Sequence, residues 1–121
     1  MTVETKAQEL AALQLVREAL LALPERALIR FWIINIQGIG CMMGAVGRLY
    51  LTRKRLSRKR VMERLARMSA NEISMFTNIP QNLMIAIVKQ NDSTCHESSC
   101  EERYEKCLAW VNERINDAET G

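Results

Sequence analysis

Histidine and aromatic side chains are scarce in this chain, and both shortages limit what the protein can do. His96 is the single histidine among 121 residues, and aromatic residues make up 5% of the sequence. A mechanism with a histidine base would have to use this one residue, which lies in a polar stretch. The sequence also shows no paired carboxylates and no nucleophile with a base at a matching spacing. We therefore expect neither catalysis nor a cofactor.

Cysteine is too sparse for a disulfide framework. The chain has four cysteines, and its first thirteen residues have neither the basic nor the apolar region of a secretory signal, so we expect a cytoplasmic protein. One cluster would offer four nitrogen and sulfur ligands to tetrahedral zinc. It consists of Cys95, His96, Cys100 and Cys107. Because it contains no C-x-x-C pair, we expect no metal and expect Cys107 to pack as a small apolar residue, with zinc left open as the alternative.

The composition favours helices. Proline occurs twice, and the apolar fraction of 48% is mainly Leu, Ile, Ala and Met. The length of 121 residues fits one compact domain. We predict an all-α fold with a single domain, residues 1–121, in three parts. These are N-terminal and dimerisation helices at 1–51, a basic helix at 52–68, and a helix-turn-helix-like half with an acidic C-terminal helix at 69–121.

Two helices are predicted before the middle of the chain. Apolar residues recur at helical spacing from residue 3 to residue 22, which predicts an amphipathic first helix. Pro24 suits the first turn of a helix, because its missing N–H costs nothing there, and Glu25 suits the positive end of the helix dipole. A second helix is therefore predicted to begin at Pro24.

No charge occurs in the seventeen residues 31–47, which include four glycines. The glycines do not form a phosphate-binding motif, because no strand precedes them and no Lys-Ser/Thr follows. Gly40 and Gly44 form a small-xxx-small pair, and Gly47 lies close to the same helix face, which predicts a tightly packed helix pair. We predict a buried central helix. The alternative is a membrane span at residues 31–51, for which the apolar segment is short.

Charge is strongly segregated along the chain, although the net charge is only +3. Nine basic residues and one acid lie from residue 48 to residue 67, whereas eight acids and three bases lie from residue 92 to the end. A run of charge is often only a solvated helix face, but the two basic triplets here would bind the phosphates of a polyanion well. The predicted phosphate contacts are Arg53, Lys54, Arg55, Arg58, Lys59 and Arg60.

A capping box marks the start of the C-terminal half. Ser69 is followed three residues later by Glu72, which predicts a short helix over about 70–77. Ile73 and Phe76 are expected to face inward on this helix.

Two further elements follow. Pro80 opens an element in which residues 83–88 are continuously apolar and are predicted to be buried on most sides. Together with the preceding helix, this gives a loose helix-turn-helix outline. Residues 89–99, KQNDSTCHESS, are predicted to form a loop. A second capping box, in which Ser98 or Ser99 is the cap, begins the last helix. Its apolar positions are Tyr104, Leu108, Val111 and Ile115.

The stretch LARMSANEISMF, from Leu65 to Phe76, together with the segment up to Gln81, resembles the middle of the FlhD family, the smaller subunit of the flagellar master activator. In that family an L-A-x-L-T-x-P-x-M-x-x-L run leads through a polar turn to a Gln and then to an apolar segment. The C-terminal sequence R-I-N-D at 114–117 is similar to the family's closing R-L-L-N-D, and the apolar segment ending in Arg-Leu at 48–49 also has a family counterpart. The resemblance covers roughly residues 35–118.

This resemblance implies an all-helical, intertwined homodimer that joins a zinc-bearing FlhC-like subunit, binds promoter DNA and recruits RNA polymerase. Relatives of this pair also act as transfer-gene activators of conjugative elements, the SetD and AcaD type, and the departures of this chain favour such a relative. Met84 stands where the flagellar subunit has the cysteine of its intersubunit disulfide, so that bridge is expected to be absent. His96, Glu97 and Ser98 replace a Ser-Arg-Val run at the family's DNA contact, so the basic run is expected to supply that contact.

The leading hypothesis is therefore a cytoplasmic transcriptional activator subunit that contacts DNA phosphates through the six basic residues named above. Phosphate contacts carry no base information, so sequence specificity would come mainly from the partner. The predicted dimer interface consists of Gly40, Gly44, Gly47, Ile73, Phe76 and Met84. One alternative is a small single-pass membrane-anchored protein with residues 31–51 in the bilayer and the basic run on anionic lipid. The other is a zinc-stabilised adaptor with no role on DNA.

Overall fold

A computed structural model of the chain describes residues 3–29, 40–93 and 99–120, and these ranges contain helices and no strand. The helices are α1 (Val3–Leu21), α2 (Met42–Arg53), α3 (Arg58–Leu65), α4 (Ala70–Phe76), α5 (Gln81–Ser93) and α6 (Cys100–Thr120). The predicted all-α fold class is confirmed.

Helix α2 is the centre of the structure. It packs against α1, α3, α4 and α5, and its residues 42–47 are all buried. A helix segment that is apolar on every side is stable only when other helices cover it. The predicted buried central helix is thus confirmed from Met42 onward, while residues 30–39 of that segment lie outside the described residues.

The membrane span considered for residues 31–51 falls partly outside the described ranges. Within those ranges, no helix combines the length and the apolar character needed to cross a bilayer.

Helices α1 and α6 pack against each other, and α1 also packs against α2. The fully buried Tyr104 of α6 donates a hydrogen bond from its hydroxyl to the Leu20 carbonyl of α1 at 2.8 Å. At the other end of the pair, the Arg114 guanidinium lies 2.8 Å from the Glu9 carboxylate. The first helix is confirmed within one residue of its predicted end.

The connection after α1 is not helical, so the prediction of a helix beginning at Pro24 is wrong. Residues 22–29 contain a turn and a bend and no helix, and Arg26 has a positive φ of 47°. Within this segment the Leu28 N–H donates to the Cys100 carbonyl at 3.0 Å, and the next residue's N–H donates to the Gly40 carbonyl at 2.9 Å. These bonds reach across the fold, and they take the place of the bonds a local helix would make.

The buried Asn91 joins three parts of the fold through its side chain and its main-chain carbonyl. Its Oδ1 accepts a hydrogen bond from the Met42 N–H at 3.1 Å and so caps α2, and its Nδ2 donates to the Ile29 carbonyl at 2.9 Å. The buried Arg103 of α6 donates to the Asn91 carbonyl at 2.5 Å. Because these bonds hold the last turn of α5, that helix continues to Ser93 into the segment predicted as loop.

Both predicted capping signals are present. Ser69 and Glu72 form a complete capping box at the start of α4. At the start of α6, the Ser99 hydroxyl accepts a hydrogen bond from the Glu102 N–H at 3.1 Å, which identifies the cap among the two candidates. Three of the four apolar positions predicted for α6 are buried, and Leu108 is half-buried.

Candidate nucleic-acid interface

The basic segment, residues 53–60, is shared between two helices. Helix α2 ends and α3 begins within it, so the basic helix predicted at 52–68 is interrupted by a turn. Arg55 has a positive φ of 62°, a left-handed conformation that breaks the helical path. Ser57 then caps α3 by accepting a hydrogen bond from the Arg60 N–H at 3.3 Å.

All six predicted phosphate contacts are exposed. Two of them interact with neighbouring side chains. The Arg53 guanidinium forms an ion pair with Glu18, and Lys54 Nζ lies 5.1 Å from the centroid of the Tyr50 ring. Within the part of the chain that the structure describes, the other four basic side chains form no ion pair. The positive charge of Arg53 is partly neutralised, so the remaining residues supply most of the field at this surface.

Three of these charges stand in the first turn of α3, where the helix dipole disfavours them. Arg58, Lys59 and Arg60 open the helix, and its first turn holds no acidic residue. A charge at the unfavourable helix end destabilises the fold by roughly 0.3–1 kcal/mol at low salt. An anion bound here would interact favourably with both the side chains and the positive helix end. The arrangement favours an anionic partner.

An aromatic pair connects the basic segment to the end of α4. The rings of Tyr50 and Phe76 stack with their centroids 6.2 Å apart and their planes 10° from parallel, and Lys54 contacts the Tyr50 ring. Phe76 is 53% exposed, so the prediction that it faces inward is wrong. The buried side of α4 is centred between Ile73 and Ser74. At 100° per residue this places Phe76 about 110° away from the core.

A four-residue turn, residues 77–80, connects α4 to α5. Asn78 has a φ of 58°, a conformation that asparagine tolerates better than most residues. The Gln8 side chain donates hydrogen bonds to Asn78, with Nε2 lying 3.2 Å from Oδ1 and 3.4 Å from the carbonyl oxygen. The buried Ile79 donates its N–H to the Ser74 carbonyl at 3.0 Å. The turn is thereby fixed to both α1 and α4.

Helix α5 has one buried face and one exposed face. The buried residues are Leu83, Met84, Ile87 and Asn91. The exposed residues before the last turn are Gln81, Asn82, Ile85 and Lys89. The prediction that residues 83–88 are buried on most sides is wrong for Ile85, which is 53% exposed. This exposed face is absent from the sequence prediction, although three of its residues follow an i, i+4, i+8 spacing.

No protein-family model, curated protein or solved structure matches the chain. The resemblance to the FlhD family stays a prediction that rests on the residues quoted for it.

Four of the six residues predicted for a dimer interface are buried within a single chain. They are Gly44, Gly47, Ile73 and Met84. A Cβ atom placed on Gly47 would lie 2.7 Å from Cδ2 of Leu65 and 3.0 Å from Cδ1 of Ile73. At Gly47, the close approach therefore exists between α2, α3 and α4 of one chain. Gly40 is half-buried, Phe76 is exposed, and contact with a second copy stays a prediction.

The cysteines in the described ranges are buried or half-buried. Cys107 is fully buried on α6, as the packing interpretation predicts, whereas Cys95 and His96 lie outside the described residues. Among the residues described, no three His, Cys, Asp or Glu side chains are grouped so as to hold a metal. The Sγ of Cys41 caps α2 by accepting a backbone N–H at 3.4 Å, and burial raises the pKa of this thiol. Cys41 therefore stays protonated near neutral pH.

Proposed function

We propose that this chain is the DNA-binding subunit of a cytoplasmic transcriptional activator. The observation that carries the proposal is the exposed basic segment, in which three positive charges stand at the start of α3 against the helix dipole. Such an arrangement is unfavourable in the isolated fold and becomes favourable when phosphate groups bind. The backbone of duplex DNA supplies those phosphates at regular spacing.

Helix α4, residues 77–80 and α5 act in this proposal as a helix-turn-helix unit. The support is local geometry: a four-residue turn with a left-handed Asn78, and an exposed face that starts at the first residue of α5. In helix-turn-helix proteins the second helix lies in the major groove, while neighbouring residues contact the backbone. The basic segment would supply those backbone contacts.

Side-chain contacts connect the basic segment to the end of α4, just before the turn into α5, and in this proposal the basic segment and the α5 face approach the same duplex. Lys54 contacts Tyr50, Tyr50 stacks on Phe76, and Phe76 directly precedes the turn into α5. Helix α6, in contrast, exposes acids that phosphates would repel. These are Glu101, Glu102, Glu105, Glu113, Asp117 and Glu119. In this proposal, electrostatics favours an orientation in which the basic segment faces DNA and the exposed acids of α6 do not.

The FlhD resemblance extends the proposal to partners. The chain would form a homodimer, join a zinc-bearing FlhC-like subunit, and recruit RNA polymerase to promoters of a conjugative element. The free Arg58–Arg60 region and the α5 face remain available for DNA in a single chain, because both are exposed.

The salt dependence of DNA binding tests the phosphate contacts. The full chain is titrated into a fluorescently labelled duplex at several salt concentrations, and the logarithm of the binding constant is plotted against the logarithm of salt. Each phosphate contact adds about 0.9 to the slope. The variant with Arg58, Lys59 and Arg60 changed to alanine should flatten the slope by about 3, and the variant with all six residues changed should flatten it further.

A matched control removes the same charge elsewhere. Lys6, Arg26 and Lys106 are also exposed and lie outside the basic segment, and changing these three to alanine should leave most of the slope intact. Circular dichroism confirms that each variant remains helical. Equal slopes for the two triple variants would refute the assignment of the basic segment.

A further inference from the structure

The exposed face of α5 carries two amides, one branched apolar side chain and one ammonium group, and no acid. Gln81 and Asn82 stand in the first turn, Ile85 follows one turn later, and Lys89 one turn after that. With a rise of 1.5 Å per residue the four side chains extend over about 12 Å, which corresponds to three or four base pairs.

The side-chain amides of Gln81 and Asn82 are exposed. Within the part of the chain that is described, neither forms a hydrogen bond with another residue. A free amide at a helix surface is satisfied by water and needs no protein partner. The backbone around it is nevertheless fixed. Gln8 holds the turn that precedes α5, and Asn91 ties its last turn to α2. The face is a rigid one with open hydrogen-bonding groups.

Resting on the proposed function, we propose that this face recognises A·T base pairs in the major groove. An Asn or Gln amide offers one donor and one acceptor, which match N7 and the N6 amino group of adenine. Ile85 supplies an apolar contact for the thymine methyl group. Lys89 at the far end of the face is placed for a phosphate. Guanine would instead call for Arg or Lys donors to its O6 and N7 atoms; no Arg lies on this face, and its one Lys, Lys89, is assigned here to a phosphate.

The start of α5 adds a backbone contribution. Pro80 precedes the helix and has no side-chain acceptor, so it cannot cap the free N–H groups of the first turn. These N–H groups can donate to a DNA phosphate beside the bases that Gln81 and Asn82 contact. The assignment gives this chain sequence specificity of its own, in addition to any that a partner supplies.

Selection from a pool of random duplexes tests the inference with the full chain. Bound duplexes are recovered and sequenced for the wild type, for Gln81→Ala and for Asn82→Ala. Gln14→Ala and Asn112→Ala are matched controls, because they remove exposed amides from α1 and α6. We expect the wild type to enrich a short motif that contains adenines.

Each α5 variant should lose enrichment at one or more of those positions and bind the selected duplex about tenfold more weakly. Its affinity for unselected duplex should stay within about twofold, and the control variants should behave as the wild type. Wild-type binding without an enriched motif, or a motif that both α5 variants retain, would overturn the inference and leave salt-dependent DNA binding in place. No duplex binding at low salt would overturn the inference and the proposed function together.

Discussion

At the scale of single residues, the side chain of Asn91 connects helices and segments that are far apart in the sequence. It is 1% exposed, and it satisfies the Met42 N–H at the start of α2 and the Ile29 carbonyl in the preceding connection. Buried backbone groups of this kind are costly to leave without partners. Asn91 therefore positions the central helix against α5 and against the segment that follows α1.

Changing Asn91→Ala should lower the free energy of unfolding by about 2–4 kcal/mol, because the buried Met42 N–H and the partly buried Ile29 carbonyl lose their hydrogen bonds. Urea unfolding followed by circular dichroism measures the change. Asn112→Ala is the matched control, since Asn112 is exposed on α6 and its loss should stay within about 0.5 kcal/mol. The role assigned to Asn91 is wrong if the two variants lose the same stability.

The sequence predicted some residue roles and missed others for a physical reason. Ser69 could be identified because its partner Glu72 is three residues away and the bonds are local. Asn91 could not, because its partners lie 49 and 62 residues away in the chain. Because the residues around Asn91 are mostly polar, the sequence alone predicts that Asn91 lies in a loop.

At the scale of helices and turns, the same distinction separates predicted from missed boundaries. The helices α1, α4 and α6 follow from an apolar stripe or a serine cap, both of which are encoded locally. The break after Pro24 depends on hydrogen bonds to Gly40 and Cys100, which no local pattern reveals. The break before α3 did have a local signal, since Ser57 is a helix cap, but it lies among basic residues that suggest one continuous helix.

The approach of α2 to α3 and α4 depends on Gly47. Changing Gly47→Ala improves helix propensity by about 1 kcal/mol, but the new methyl group overlaps Leu65, and overpacking costs about 1–3 kcal/mol. We expect a net loss of about 1 kcal/mol in urea unfolding. A Leu65→Ala background removes the shorter contact and leaves Ile73 Cδ1 at 3.0 Å, so the same change should lose most of its cost.

A double-mutant cycle over Gly47 and Leu65 gives the coupling directly. A coupling energy near zero would show that α2 and α3 do not meet closely at this glycine. A Gly47→Ala change that stabilises the wild-type protein would show the same. The candidate interface depends on this contact, because the second basic triplet, Arg58 to Arg60, lies at the start of α3.

At the scale of the whole molecule, the fold converts a charge pattern along the chain into one in space. The basic segment lies at the junction of α2 and α3, and the acids of the C-terminal region lie on α6, which packs against α1 and α5. The segregation of charge was evident from the sequence. The residues that form the exposed face of α5 were not evident from the sequence, because they depend on which side of α5 the other helices cover.

The homodimer is a prediction at this scale, and burial limits the form that such a dimer can take. Four of the predicted interface residues are already buried in one chain, so a dimer that uses them must exchange helices between copies. Dissociation of such an intertwined dimer is coupled to unfolding, and its thermal midpoint rises with protein concentration. We expect that rise, together with a light-scattering mass of two chains.

Phe76→Asp tests the accessible part of that interface. Phe76 is 53% exposed, and a buried carboxylate would be unfavourable if this position lies between two copies. Leu21→Asp is the matched control, because Leu21 is 54% exposed at the end of α1 and was not assigned to the interface. The first variant should shift the mass toward one chain while the second stays dimeric. A single-chain mass for the wild type, with a midpoint independent of concentration, would show that the core described here is complete in one copy.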